Sequence, residues 1–345
     1  MKRLKIFIYL IIAVFIIGGI AGYKMYKNIN YPNIFIKDKD TEYLYIPTGA
    51  SFDDLKNILY ENEYLKDKES FEWVAERKNL KNHVYPGRYL IKNKMSNNEL
   101  IDMLRSGKQD FVKLIFNNVR TKEELASKIS QQIEADSISI INLLNDNEFI
   151  AEYGFKLNTI INIFIPNTYE FYWNTSAEAF ISKMFNEYEK FWNKKRLKKA
   201  EKIGLNQLEI ITLASIVEEE TKKDNEKERL AGVYINRLNK GMRLQADPTV
   251  VYAIGNFSIN RVLKKHLQID SPYNTYRYKG LPPGPITIPS IESINAVLNY
   301  EHHKYLYFCA REDFSGYHNF AKTLKQHNIN AKNYQKALNK KRILK

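Results

Sequence analysis

The chain of 345 residues exceeds the ~100–200 residues of an ordinary domain, so two or more folding units are expected. Its formal net charge of +14 would suit nucleic acid, but the basic residues are dispersed, with one dense run at 194–202, and no zinc-finger or helix-turn-helix pattern is present. Cys309 is the only cysteine, which excludes an intrachain disulfide. We therefore predict no nucleic-acid partner, and expect a basic exported domain to meet a carboxylate-bearing polymer or anionic lipid.

The amino-terminal segment 6–23 is uncharged and mostly apolar, and a helix needs about 20 such residues to cross a membrane. Basic residues within positions 1–5 favour a cytoplasmic amino terminus, a bias that Lys24 and Lys27 weaken. A cleaved signal peptide is the alternative, but its apolar region is usually shorter, about 7–15 residues. We predict a cytoplasmic tail at 1–5 and an uncleaved single-pass anchor at 6–23.

A spacer is expected at 24–42, followed by a small βααβ module at 43–110. Capping boxes, in which a Ser or Thr stands three positions before an acidic residue, indicate helix starts. The predicted elements are a strand at 43–46, a helix opened by the capping box at 51–54, a helix at 69–77, a strand at 84–91 and a helix opened by the capping box at 96–99.

The remaining residues, 111–345, are expected to form a second, mixed domain with its core at 205–330. Alternating apolar residues predict a strand at 112–116, and runs of aromatic and β-branched residues predict strands at 160–165 and 169–173. The fold class predicted for the whole chain is α+β, with a single transmembrane helix before both domains.

The most informative segment is an apolar run at 208–217 that ends in three carboxylates, Glu218, Glu219 and Glu220. A helix with almost no polar side is typical of one buried all round. At 100° per residue, Glu218 continues an apolar row of this helix, whereas Glu220 points nearly opposite. The three side chains therefore cannot all enter one pocket, and Glu218 is predicted to face the apolar walls.

A carboxyl group that faces apolar walls is poorly solvated when ionised, so the pKa of Glu218 is expected to rise until the group can donate a proton. Cleavage of a glycosidic bond needs such a donor for the departing oxygen. An acidic patch that closes a helix and faces water is the alternative interpretation. The residue pattern alone leaves both open.

Two downstream segments carry candidate sugar contacts. Arg243, Gln245 and Asp247 alternate in a short extended segment before Pro248 and Thr249, where their side chains could bind hydroxyl and amide groups; a polar turn is the alternative. Later segments at 271–276 and 280–285 end in a rigid Pro- and Gly-rich loop, the kind that shapes clefts. Within them, Asn274 and Tyr276 are candidates. No His-Glu-x-x-His pattern occurs, and we predict neither a metal site nor a cofactor.

Several long phrases occur together in a fixed order and resemble the endolytic murein transglycosylase (YceG-like) family of bacterial cell-wall lyases. They lie at 46–51, 86–89, 165–169, 213–221, 231–238, 241–249, 271–285, 317–320 and 327–328. Some positions depart from the family pattern. Ala246 stands where Thr or Ser is common, Glu219 where a basic residue is common, and 288–290 replaces a more usual Asn-Pro-Gly.

The resemblance implies a protein of the bacterial inner membrane with an extracytoplasmic carboxy-terminal part, in which a LysM-like module at 43–110 precedes a catalytic domain at 111–345. It implies non-hydrolytic cleavage of the β-1,4 bond between N-acetylmuramic acid and N-acetylglucosamine in nascent peptidoglycan strands, leaving 1,6-anhydro ends. Peptidoglycan synthases are implied as partners. The essential glutamate of the family motif Glu-x-Glu-Thr is carried onto Glu218, as acid and then base.

The candidate substrate-binding residues are Gln245, Asp247, Thr249, Asn274, Tyr276 and Glu220. Two alternatives to the lyase remain. A glycoside hydrolase would need a second carboxylate, for which Asp247 is the candidate because Glu220 is expected to point away from Glu218. A non-catalytic, membrane-anchored glycan-binding protein would need neither carboxylate.

Overall fold

The computed structural model describes residues 2–117, 119–259 and 261–341, and these divide into two compact units. The N-terminal unit comprises Met1–Lys113, Gln132–Glu134 and Glu170–Thr175. The C-terminal unit comprises Leu114–Gln131, Ala135–Tyr169 and Ser176–Lys345. Each unit has its own buried apolar residues, and the protein is a mixed α+β chain.

The first helix, α1, spans Lys2–Asn30. Its segment Leu4–Asn30 is long and apolar enough to cross a membrane, with a mean hydropathy of 2.6. The helix continues beyond 6–23 and includes part of the predicted spacer, because nothing between Lys24 and Asn30 interrupts it before Pro32, which disfavours helix at the residue before it. Asn97 then fixes the end of α1, since its Nδ2 donates to the carbonyl oxygen of Asn28 at 2.8 Å.

The N-terminal unit has a strand–helix–helix–strand order in which the two strands pair antiparallel. Its elements are β1 (Thr41–Ile46), α2 (Phe52–Glu61), α3 (Lys68–Arg77), β2 (Gly87–Lys92) and α4 (Asn97–Ser106). The capping boxes at Ser51 and Ser96 are both formed, so the predicted helix starts are confirmed. The second strand begins at Gly87 rather than 84, after Pro86, which has no N–H to donate.

The core of this unit is one cluster of apolar side chains. It comprises Ile34, Ile36, Leu44, Ile46, Leu55, Leu59, Leu65, Phe71, Val74, Ala75, Leu80, Tyr89, Ile91, Leu100, Ile101 and Leu104. A second two-stranded sheet pairs β3 (Phe111–Ile115) with β4 (Thr168–Tyr172).

The C-terminal unit is mainly helical. Its remaining elements are α5 (Lys122–Ser130), α6 (Ser137–Asn145), α7 (Asn147–Glu152), α8 (Ala177–Phe191), α9 (Lys194–Ile203), α10 (Gln207–Glu220), α11 (Asp224–Asn239), α12 (Asp247–Ile254), α13 (Ile291–Leu298), β5 (Tyr307–Ala310), β6 (His318–Ala321) and α14 (Leu324–Lys340). The strand predicted at 160–165 is wrong, because Ile160–Ile163 forms a short 3₁₀ helix. All four of its residues are buried, so no alternation was available to distinguish a strand.

Helix α10 is the centre of this unit. It starts at a capping box formed by Asn206 and Glu209, and all its residues from 210 to 217 are buried, as its apolar sequence predicts. It packs against α11 and α13. The helix ends at Thr221, which adopts an extended conformation. The three carboxylates therefore lie at the C-terminal end of a buried helix that its neighbours hold in place.

Candidate active site

Glu218 is anchored between three helices, α10, α11 and α13. Its Oε2 accepts hydrogen bonds from the hydroxyls of Ser290 and Ser293, both at 2.5 Å. The ammonium of Lys227, from α11, lies 3.3 Å from the same oxygen. Only 14% of the Glu218 side chain is exposed. Glu218 thus ties the end of α10 to α11 and to the start of α13.

The pKa of Glu218 is lowered, not raised. Burial is the largest single influence and would raise this pKa, but the hydroxyls of Ser290 and Ser293 and the charge of Lys227 together outweigh it. The expectation that Glu218 holds a proton near neutral pH is therefore wrong. Its surroundings are polar because three side chains from distant positions converge on it.

Glu220 has the property that was expected of Glu218. Burial is the largest influence and raises the pKa of Glu220 to about 7; the hydrogen bond from Tyr234 opposes this rise, and the negative charge of Asp247 adds to it. The hydroxyl of Tyr234 donates to Glu220 Oε1 at 2.7 Å. The residue as a whole is partly exposed, and it lines two cavities that are described below. A carboxyl group with a pKa near 7 is partly protonated at neutral pH.

Glu220 and Asp247 both line two cavities of the C-terminal unit. The larger, here the wide cavity, has a volume of about 750 Å³. Its other lining residues are Arg120, Glu219, Pro248, Val251, Tyr252, Phe257, Ile259, Arg261, Val262, Ile286, Tyr334, Gln335 and Leu338. The smaller, here the inner cavity, has a volume of about 350 Å³. Its other lining residues are Arg237, Gln245, Tyr276, Phe308 and His327.

Glu219 faces the wide cavity but is neutralised there. Its Oε2 lies 2.6 Å from Arg120 Nη2, and the guanidinium of Arg120 also lies over the ring of Phe257 at 4.9 Å. The helical geometry was therefore right in separating Glu218 from Glu220. Glu219 and Glu220 are the two of these carboxylates that line the wide cavity.

Three of the predicted binding residues join Glu220 at the inner cavity: Gln245, Asp247 and Tyr276. The hydroxyl of Tyr276 donates to Asp247 Oδ1 at 2.5 Å. Gln245 has a φ of 51°, in the left-handed region, so the segment is not the regular extended one expected. Such a conformation in a non-glycine residue costs about 1–3 kcal/mol and persists only where the surrounding structure holds it. Here the backbone N–H of Gln245 donates a hydrogen bond to the carbonyl oxygen of Thr275 at 3.2 Å.

Thr249 and Asn274, which were predicted to bind the substrate, are not among the residues that line either cavity. Both are fully buried. Thr249 Oγ1 donates to Ala246 O and also contacts the hydroxyl of Thr275. Asn274 Nδ2 donates to the carbonyls of two residues in the preceding loop, and its Oδ1 accepts from the amide of Tyr276. Both side chains hold the loops that carry Gln245 and Tyr276.

The sequence reasoning missed several residues of the site. Tyr234 and Arg237 lie three positions apart on α11, a spacing that puts two side chains on one helical face. That spacing is a usable signal in a segment recognised as a helix. Phe308 carried no local signal, and His327 carried only its place in the family phrase 327–328. In the described residues, no group of three or more His, Cys, Asp or Glu side chains is arranged to hold a metal ion.

Comparison with known proteins adds to this geometry. The model of the YceG-like family matches residues 44–333. The chain belongs to this family. The crystal structure of a protein from Listeria monocytogenes described as YceG-like matches with a TM-score of 0.57 and 29% identity, covering 85% of this chain and 99% of that one.

Two relatives of this YceG-like chain are named endolytic murein transglycosylase. The one from Bacillus subtilis is 31% identical over 321 residues, covering 88% of this chain and 87% of the relative. The one from Streptococcus pneumoniae is 26% identical over 325 residues. That alignment covers 85% of this chain but 58% of the relative, so the chain spans less than two thirds of the pneumococcal protein.

Proposed function

We propose that the protein is a lytic transglycosylase that cleaves peptidoglycan strands internally, and that its general acid is Glu220 rather than Glu218. Two relatives carry the name endolytic murein transglycosylase, and murein is peptidoglycan. The observation that carries the assignment of the acid is the pKa of about 7 for Glu220, on a carboxyl group that lines both cavities. Glu218, with a lowered pKa and three hydrogen-bonding partners, lacks that property.

In the proposed mechanism one carboxyl group acts twice. Protonated Glu220 gives its proton to the oxygen between the two sugars, and the bond from that oxygen to C1 of the muramic residue breaks. The resulting carboxylate then takes the proton of the muramic C6 hydroxyl, whose oxygen bonds to C1 and closes a 1,6-anhydro ring. The proton is back on Glu220 and no water is consumed. Acid–base assistance of this kind typically contributes about 10²–10⁴-fold.

Neighbouring groups support each stage. Tyr234 donates to Glu220 Oε1 and so stabilises the carboxylate left after the first proton transfer. Burial and Glu220 raise the pKa of Tyr234 well above its ordinary value, which keeps this hydroxyl protonated as a donor. The carboxylate of Asp247 lines the same cavities and would stabilise the positive charge that develops at C1.

A glycoside hydrolase is the second candidate, because Asp247 is a further carboxylate beside Glu220. In a hydrolase Asp247 would act as nucleophile or activate a water molecule. The products separate the two reactions. Each anhydro end produced by a lyase is lighter by one water than the reducing end produced by a hydrolase.

The remaining expectations concern how the enzyme meets its substrate. We propose that α1 anchors the protein in the inner membrane with both units outside the cytoplasm, which fits its length and exposed apolar side chains. The strand–helix–helix–strand order between 43 and 110 supports a LysM-like module there, followed by a catalytic domain at 111–345. Peptidoglycan synthases remain proposed partners.

The test is digestion of purified peptidoglycan by the full chain in detergent micelles, followed by mass spectrometry. We expect anhydro-muramyl ends from the wild type, none from Glu220→Gln, and slower formation of the same ends by folded Glu218→Gln. Reducing muramic ends as the main product would replace the lyase with the hydrolase. Full activity of Glu220→Gln, with loss of activity in a well-folded Glu218→Gln, would return the acid role to Glu218.

A further inference from the structure

The inner cavity contains a histidine that the proposed mechanism does not use. His327 lies on α14, and its ring stacks on Tyr307 with centroids 5.4 Å apart and planes 25° apart. Its Nδ1 is shielded from solvent and has no hydrogen-bond partner among the described residues. Buried polar atoms normally have partners; without one, Nδ1 does not fix the state of this ring, and the side chain lines the inner cavity.

The imidazole of His327 is neutral near neutral pH. Burial lowers its pKa most, and the charge of Arg237 lowers it further. Since no hydrogen bond at Nδ1 fixes the tautomer, the other ring nitrogen, Nε2, is able either to donate or to accept. The ring therefore offers the cavity an adaptable hydrogen-bonding group without charge.

The only arginine among the residues that line the inner cavity is already engaged. Arg237 Nε donates to Leu306 O and its Nη1 donates to Leu244 O, both at 2.6 Å. Asp247 adds a negative charge to the same lining. An anionic substituent, such as the carboxylate of a peptide stem, would meet this negative charge without an unengaged arginine to offset it.

We propose that the inner cavity binds the 2-acetamido group of an N-acetylamino sugar beside the bond that is cleaved. His327 and Gln245 supply hydrogen bonds to its amide, and the ring of Phe308 packs against its methyl group. A neutral amide with a methyl group matches a lining of neutral polar and aromatic side chains. This inference rests on the proposed function, because it takes the substrate to be a strand of N-acetylated sugars.

Binding of two matched probes tests the inference without requiring turnover. A tetramer of β-1,4-linked N-acetylglucosamine and the corresponding tetramer of glucose are both uncharged and differ only at C2, where the first carries an acetamido group and the second a hydroxyl. Isothermal titration of the full chain in detergent micelles would compare the wild type, His327→Ala, His327→Asn and the control His302→Ala, in which an exposed histidine outside both cavities is removed.

We expect the wild type to prefer the acetylated tetramer. His327→Ala should weaken binding of that tetramer about 10-fold, the effect of one lost hydrogen bond at the upper end of its usual range, and should leave binding of the glucose tetramer within about twofold. His327→Asn should recover part of the lost affinity for the acetylated tetramer. His302→Ala should leave the affinity for both tetramers unchanged.

Equal weakening of both tetramers by His327→Ala, no weakening of either, or no preference in the wild type would overturn the inference. These results leave the proposed function untouched, because that function is judged by the ends released from peptidoglycan. Conversely, an acetyl preference that depends on His327 would stand even if those ends proved to be reducing.

Discussion

The hydroxyl of Tyr234 donates a hydrogen bond of 2.7 Å to Oε1 of Glu220. The two residues come from α11 and from the last position of α10, so the contact depends on how these helices pack. The hydrogen bond lowers the pKa of Glu220, whereas burial and Asp247 raise it. The value of about 7 is therefore a balance of opposing effects, and each can be altered separately.

Tyr234→Phe removes the effect that lowers the pKa of Glu220. A general acid works only while protonated, so the alkaline limb of the pH profile of kcat/KM should move to higher pH, by roughly half a unit to one unit. The profile would be measured by the release of soluble fragments from peptidoglycan. A limb that stays in place or moves to lower pH would argue against Glu220 as the titrating acid.

Asp247→Asn removes a charge that raises the pKa of Glu220, so the same limb should move in the opposite direction, to lower pH. The rate at the optimum should also fall, because a negative charge near C1 is lost. The ends released should still be anhydro ends. A folded Asp247→Asn variant without any activity would favour the hydrolase, since there Asp247 takes part in bond making.

Glu218→Gln should lower the stability of the fold rather than shift the pH profile. The folded-state pKa of Glu218 lies below its ordinary value of 4.5, so the ionised carboxylate stabilises the fold above about pH 4.5, and this contribution is lost as the pH falls through the folded-state pKa. At pH 7 we expect a loss of about 1–3 kcal/mol, because Gln keeps a hydrogen-bond acceptor but removes one of the two carboxylates that pair with Lys227, leaving only that of Asp224.

Thermal unfolding at pH 7 and at pH 4 would measure this effect. The difference in Tm between the variant and the wild type should shrink at the lower pH. Glu201→Gln, at an exposed position of α9, is the matched control and should not change Tm. An equal difference at both pH values would show that the charge of Glu218 is not what stabilises the fold.

Asn274→Ala tests the structural role assigned to this buried side chain. The variant leaves two carbonyl oxygens and the amide of Tyr276 without partners, so the free energy of unfolding should fall by about 1–3 kcal/mol. Circular dichroism during heating would record the loss. A variant with unchanged Tm and a raised KM would instead support the original prediction that Asn274 contacts the substrate.

The sequence predicted most of what depends on local pattern. The capping boxes at Ser51 and Ser96 and the all-round burial of α10 follow from residues close together in the chain. The same reasoning also separated the directions of Glu218 and Glu220. It could not tell which of them faces a cavity, because their neighbours come from distant segments: Ser293, which contacts Glu218, is 75 residues away, and His327, which shares a cavity with Glu220, is farther still.

Thr249 and Asn274 illustrate a related difficulty. A polar residue in a loop suits both a ligand and the backbone of the loop itself, and only the folded chain decides between them. His327 illustrates the reverse case. In the sequence it belongs only to the short family phrase 327–328, yet α14 brings it to the same cavity as Glu220.

Helix α1 continues without a break to Asn30, and a hydrogen bond from Asn97 to the carbonyl oxygen of Asn28 holds its end against the rest of the N-terminal unit. Both features limit how far this unit can move relative to α1. The helical stretch from 24 to 30 rises about 10 Å at 1.5 Å per residue, without a swivel point. If α1 is the membrane anchor proposed above, this stretch would hold the N-terminal unit at a fixed height above the lipid headgroups. The protein would then reach new parts of the cell wall by lateral diffusion in the membrane rather than by movement on a flexible tether.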